Sequence, residues 1–210
     1  MDEYYECFLQ HMGPETDRCE SSIFTVEKYR GKLPDLLITH WSTYGWSGYG
    51  QGIFWCVNPA EYEAVIRTWM SDSGIPNADT YHAIARGAFG DFYLWQQTTG
   101  RWVTLSALCA RYMQSNREIT PDRFNEEIEG FFVSMDREAN DFDDLFEEAL
   151  KKLGPLQPDE MYGFVPAIAL GGPGTLNTLQ KVKTIEHLTF LSQLSPLTDW
   201  GFPDLNDFDG

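Results

Sequence analysis

The chain is short of positive charge. Its 210 residues hold 15 lysines and arginines against 32 aspartates and glutamates, a formal net charge of -17 at pH 7. A surface that grips nucleic acid or anionic lipid needs a basic face, so the balance argues against direct DNA, RNA or membrane binding. No apolar run approaches the ~20 residues of a membrane span. The opening MDEYYECFLQHM is acidic and has no basic start or long apolar stretch, so no secretory signal is expected. The four cysteines (Cys7, Cys19, Cys56, Cys109) include no CxxC pair, which removes the usual zinc and thioredoxin-like motifs. Free thiols in a reducing cytoplasm are expected. The histidines (His11, His40, His82, His187) show neither HExxH nor a second His or Cys at ligand spacing. GxSxG and GxxxxGK are missing. Gly48, Gly50 and Gly52 lack the offsets of a dinucleotide fingerprint, and the aspartates of 198–210 miss the calcium-loop offsets. No catalytic residue, metal or cofactor is expected.

What the chain has is core-forming material: 42% hydrophobic and 15% aromatic residues, ample for a packed interior. Apolar residues at helical spacing predict a helix over 2–12 and another after Pro34 through Leu37, Ile38 and Trp41. Residues 15–22 read as loop. The clearest helix follows Asn58-Pro59, with Asn58 as cap, Pro59 at the first position and Glu61 at the third. Tyr62, Val65, Ile66, Trp69 and Met70 form its apolar stripe. The polar stretch 71–79 marks an expected boundary between domains at 1–78 and 79–210. Strands follow over 80–89, 92–96 and 102–105, the last two flanking a Thr-Thr-Gly turn. Two acidic helices come next, one capped by Thr120 and one beginning near Asp141. Pro155 and Pro158 stop the second. Residues 161–170 are the most apolar run and predict a buried strand closed by a glycine turn, with 176–194 reading as its covering helix. The fold expected is α+β: largely antiparallel sheet with packed helices, in two closely associated subdomains.

Two segments at the C-terminal end, LGPLQPDEMYGFVPAIALGG (153–172) and KVKTIEHLTFLSQL (181–194), resemble the C-terminal half of a family of bacterial immunity proteins. LPDLLITHWSTYGWSGYGQGIFWCVNPAEY (33–62) is similar to the GAD-like domain that precedes it in that family. The resemblance implies a cytoplasmic, non-enzymatic protein that binds and neutralises a type VI secretion DNase effector, protecting the producing cell and its siblings. The matching residues are mainly apolar, glycine and proline. They define a scaffold, so the site has to be argued from other residues.

Two stretches are candidates. Residues 118–148 hold twelve carboxylates and two arginines. Glu126, Glu127, Glu129, Asp143, Asp144, Glu147 and Glu148 fall off the apolar stripes. They form either an ordinary solvated surface or a negative face for the basic cleft of a nuclease. Residues 41–55, WSTYGWSGYGQGIFW, mix aromatics with glycines as binding paratopes do. Either the rings enter the core and the glycines bend a hairpin, or Tyr44, Trp46 and Tyr49 present an apolar anchor to a partner. A second class of function, a small-ligand or carbohydrate site or enzyme built on those rings, stays open on this reading. The tail 198–210, TDWGFPDLNDFDG, either docks on the body or extends toward a partner.

Overall fold

The structure, a computed structural model, describes residues 2–201. Helices α1 (Glu3–Met12), α2 (Ile23–Tyr29) and α3 (Asp35–Tyr44) come early in the chain. Strands β1 (Glu15–Cys19), β2 (Trp46–Tyr49) and β3 (Phe54–Cys56) are interleaved with them. Helix α4 (Pro59–Met70) follows, then β4 (Tyr81–Gly87), β5 (Asp91–Gln96), β6 (Trp102–Ser106) and β7 (Arg111–Gln114). The remainder is α5 (Phe124–Ser134), α6 (Phe146–Leu153), β8 (Glu160–Phe164), β9 (Leu179–Lys183), α7 (Thr184–Leu194) and β10 (Thr198–Asp199). β1 to β7 pair antiparallel in chain order, β10 adds parallel to β7, and β8 with β9 forms a small second sheet. The fold is α+β with a large, mostly antiparallel sheet, as the sequence predicts.

Helices cover both faces of the main sheet. On β5, Tyr93 and Trp95 point to one face, where Phe131 of α5 lies 5.4 Å from Tyr93 and 4.8 Å from Trp102, the register partner of Trp95. Phe8 of α1 meets Tyr49 and Phe54 on the same side, at 4.8 and 5.6 Å. Phe92 and Leu94 point the other way, beside Leu105 and Val103, and Tyr62 of α4 sits 5.2 Å from Phe92. Double coverage is why every residue of β4 is buried and no polar alternation survives in its sequence. α4 begins as predicted. Asn58 Oδ1 accepts from the Ala60 amide at 3.1 Å, and Asn58 Nδ2 donates to Glu61 Oε1 at 3.2 Å. Behind α4, Trp69 Nε1 donates to the Ser195 carbonyl just past α7.

The sheet runs without a break through the expected boundary. Residues 71–79 connect α4 to β4, and β4 pairs directly with β3 (Trp55 opposite Arg86). The small sheet is tied on by the Arg86 guanidinium, wholly buried, which donates to the carbonyls of Pro158 and Glu160 at 2.8 and 2.9 Å. Its cation lies 5.0 Å over the Trp55 ring.

Four local expectations are corrected. Residues 15–19 are an edge strand, not loop; its side chains stay exposed or half-exposed, so no apolar pattern announces it. The apolar run 161–170 is strand only to Phe164, and Leu170 is 58% exposed in a short 3-10 turn. Residues 179–183 are strand β9, not helix, because their backbone completes the β8 ladder; the covering helix starts at Thr184. α6 starts at Phe146. Asp143 and Asp144 lie before it with left-handed φ of 48° and 57°, and only Asp141 reaches the helix, accepting from the Phe146 amide at 2.9 Å. Of the tail, residues 198–201 form β10 and the turn after it; 202–210 lie outside the described residues.

Candidate functional site

α5 buries Ile128, Phe131 and Phe132. Phe132 stacks on His40 of α3 at 4.5 Å and lies 5.8 Å from Tyr4 of α1. This aromatic joint fixes three helices against each other and turns Glu126, Glu129 and Gly130 outward. Between α1, α3 and α5 it leaves a cleft of about 720 Å³. Asp2, Glu3, Glu126 and Glu129 line it, together with Tyr4, Leu36 and Val133. Burial raises the Tyr4 hydroxyl pKa, and the carboxylates of Asp2 and Glu129 push it further the same way. A second cleft, of about 370 Å³, lies on the other side of α5 against Tyr93 and Trp102, with Glu126, Glu127 and Gly130 on its rim.

The predicted acidic face therefore divides. Glu126 and Glu129 meet in the first cleft, while Glu127 belongs to the second. Asp143, Asp144, Glu147 and Glu148 line neither. Nearby arginines offset part of the charge. Arg123 holds Glu126 at 3.0 Å, Arg117 pairs with Glu127, and Arg137 pairs with Glu147. Arg137 is itself fixed by the Gly50 carbonyl and by the Phe146 ring 5.4 Å away. Among the described residues no ion pair reaches Glu129, Asp143, Asp144 or Glu148.

The aromatic anchor is corrected. Tyr49 is fully buried and its hydroxyl meets that of Tyr5 at 3.3 Å; Trp46 is 8% exposed, edge-on to Trp41. Tyr44 is half-buried, stacked on Tyr5 at 3.9 Å, with its hydroxyl donating to Asp2. The rings enter the core because α1 and α3 close over the β2–β3 hairpin. The cavity beside Trp46 and Trp55 is about 70 Å³, far below the ~300 Å³ of an ordinary small-molecule site. Three of the four histidines are packed into the structure, and His11 is exposed. His40 accepts or donates at 3.1 Å with Tyr4, His82 pairs with Gln97 at 3.0 Å, and His187 packs against Gly163. Among the described residues no group of three or more His, Cys, Asp or Glu is placed to hold a metal, and no helix is long and apolar enough to cross a membrane.

Sequence reasoning missed the contribution of α1 and α3 to the acidic cleft. Asp2, Glu3 and Leu36 lie about 90 residues or more from Glu126 in the chain, and only the packed aromatics bring them together. A signal was present in Gly130, a glycine inside a helix with no turn to make.

The family model described as GAD-like domain matches residues 3–109, and the model described as T6SS immunity protein Tdi1, C-terminal, matches residues 125–195. No curated protein matches the chain. The crystal structure of Atu4351 from Agrobacterium tumefaciens is similar over 95% of this chain and 94% of its own, with a TM-score of 0.86 and 22% sequence identity. At that identity the likeness shows the fold alone. With the first match spanning just over half of the residues and the second following it, the chain belongs to the GAD-like domain family and carries the C-terminal domain of the T6SS immunity protein Tdi1.

Proposed function

We propose that the protein is a type VI secretion immunity protein whose partner is a DNase effector, which it binds and neutralises in the cytoplasm of the cell that makes both. It acts by occupying protein surface, without turnover, metal or cofactor. The observation that carries this reading is the charge on the segment matched to the immunity domain. Glu129, Asp143, Asp144 and Glu148 project from it, exposed, and no ion pair engages them among the described residues. A nuclease must carry a positive cleft to hold phosphates, and an inhibitor with exposed carboxylates is attracted to it while DNA is repelled. The test is co-expression with the product of the neighbouring gene, which this reading requires to be a nuclease. A complex should survive purification, and plasmid DNA should stay intact when the complex is assayed. A nuclease that cuts at full rate in the presence of excess protein would sink the proposal.

A further inference from the structure

We propose that the effector docks in the cleft between α1, α3 and α5, and that it inserts a cationic, amphipathic segment whose lysine or arginine heads reach Asp2, Glu3 and Glu129. This rests on the reading of the protein as an effector-binding immunity protein, and it names the surface and the chemistry of the partner.

Three observations carry it. The first is the composition of the walls. No lysine, arginine or histidine lines the cleft, while four carboxylates do. Among the described residues no ion pair reaches Asp2, Glu3 or Glu129, in contrast to Glu127 and Glu147, which are occupied by Arg117 and Arg137. Glu126 shares Arg123 at the edge of the opposite cleft. The missing cations have to come from the occupant, and a nucleic acid has none to offer.

The second is the floor. Leu36 and Val133 line the cleft beside Tyr4, with Val133 39% exposed. Carboxylates around an apolar floor fit an amphipathic segment. The apolar contact supplies the desolvated anchor that holds a complex together, and the rim charges speed its formation.

The third is Gly130. A glycine inside a helix costs about 1 kcal/mol relative to alanine. Here a Cβ would meet nothing within 4 Å, so no internal packing requires its absence. Gly130 stands on the ridge of α5 between the two clefts. A bare backbone there lets an incoming chain lie close against the helix.

The cysteines give the test an internal control. Cys7 lines the cleft, Cys19 and Cys109 are exposed outside it, and Cys56 is buried. The protein alone and in complex with the neighbouring-gene nuclease is alkylated with iodoacetamide and read by mass spectrometry. In the complex, labelling of Cys7 should fall about tenfold or more while Cys109 labels as before. The affinities of Gly130→Leu and Glu129→Lys are measured beside it. Both should fold, and each should weaken binding by about tenfold or more, whereas Gly130→Ala should raise the melting temperature. A complex in which Cys7 labels at the free rate, or in which folded Gly130→Leu binds like the wild type, overturns the docking site and leaves the immunity reading standing. If no complex forms with the wild type, the immunity reading fails and takes the site with it.

Discussion

At the scale of single residues, two of the buried polar groups, His40 and Arg86, make distinct and measurable contributions to stability. His40 is 1% exposed, with Phe132 stacked on its ring, Tyr5 and Tyr44 around it, and no carboxylate in contact. Burial pushes its pKa down to about 3, against about 6.5 in an unfolded chain. Between those values the unfolded chain takes up a proton that the folded one refuses. Stability is therefore full above about pH 6.5 and falls as the pH drops toward 3, by up to about 1.4 kcal/mol per pH unit. Burial lowers His82 and His187 in the same direction, so the informative quantity is the difference between wild type and His40→Gln. Urea midpoints from pH 7 to pH 5 should fall more steeply for the wild type; parallel curves would remove His40 from the account. Arg86 is the second group. Replacing it with lysine leaves one ammonium in place of a planar guanidinium whose Nη2 serves the Pro158 and Glu160 carbonyls while its Nη1 reaches the Gly87 carbonyl at 3.3 Å. Arg86→Lys should cost about 2 kcal/mol, read as a lower urea midpoint, and a wild-type midpoint would show that the tie between the sheets is dispensable.

At the scale of elements, the β8 strand and α7 hold the C-terminal part together. Phe164 and Leu188 are both fully buried, so Phe164→Ala and Leu188→Ala should each cost about 2 to 5 kcal/mol. Leu170→Ala, six positions further along the same apolar run but 58% exposed, should stay within about 0.5 kcal/mol. Equal losses at Phe164 and Leu170 in thermal melts would mean that the 3-10 turn after the strand is also core. This contrast locates what sequence could tell. Helix α4 was legible because its cap, its proline and its stripe are all local. β1 was not, since an edge strand with polar side chains has no apolar pattern. The β9 sequence has a helical look because its ladder with β8 is a long-range fact, invisible in the period of five residues. The stretch 41–55 shows its aromatics plainly but not their direction, which α1 and α3 decide by packing over them. The cleft was the least legible feature. It exists only where residues near 2–7, 36–39 and 126–133 meet, and its one local signal, Gly130, does not say which segments join it.

At the scale of the whole molecule, the net charge of -17 acts before any contact forms. Opposite charge raises encounter rates by about 10 to 1000-fold at low salt, while residence time depends on desolvated contacts. The two roles belong to different places on this protein. The α1–α3–α5 cleft has an apolar floor and can hold a partner; the turn before α6 and the α6 surface carry exposed charge outside either cleft. Asp143, Asp144 and Glu148 suit a test of the second role, since no ion pair engages them among the described residues. The left-handed backbone at 143 and 144 would strain a lysine, whereas asparagine tolerates it. In Asp143→Asn, Asp144→Asn, Glu148→Gln, three charges vanish while shape and fold are kept. Association with the nuclease, followed by stopped flow across a salt series, should slow by about twofold or more at low salt and converge on the wild type at high salt, because the lost attraction is screened there. Dissociation should not change. A variant with the wild-type salt slope would mean that the effector is drawn in by the carboxylates of the cleft alone, and a variant that dissociates faster would place the α6 surface inside the interface.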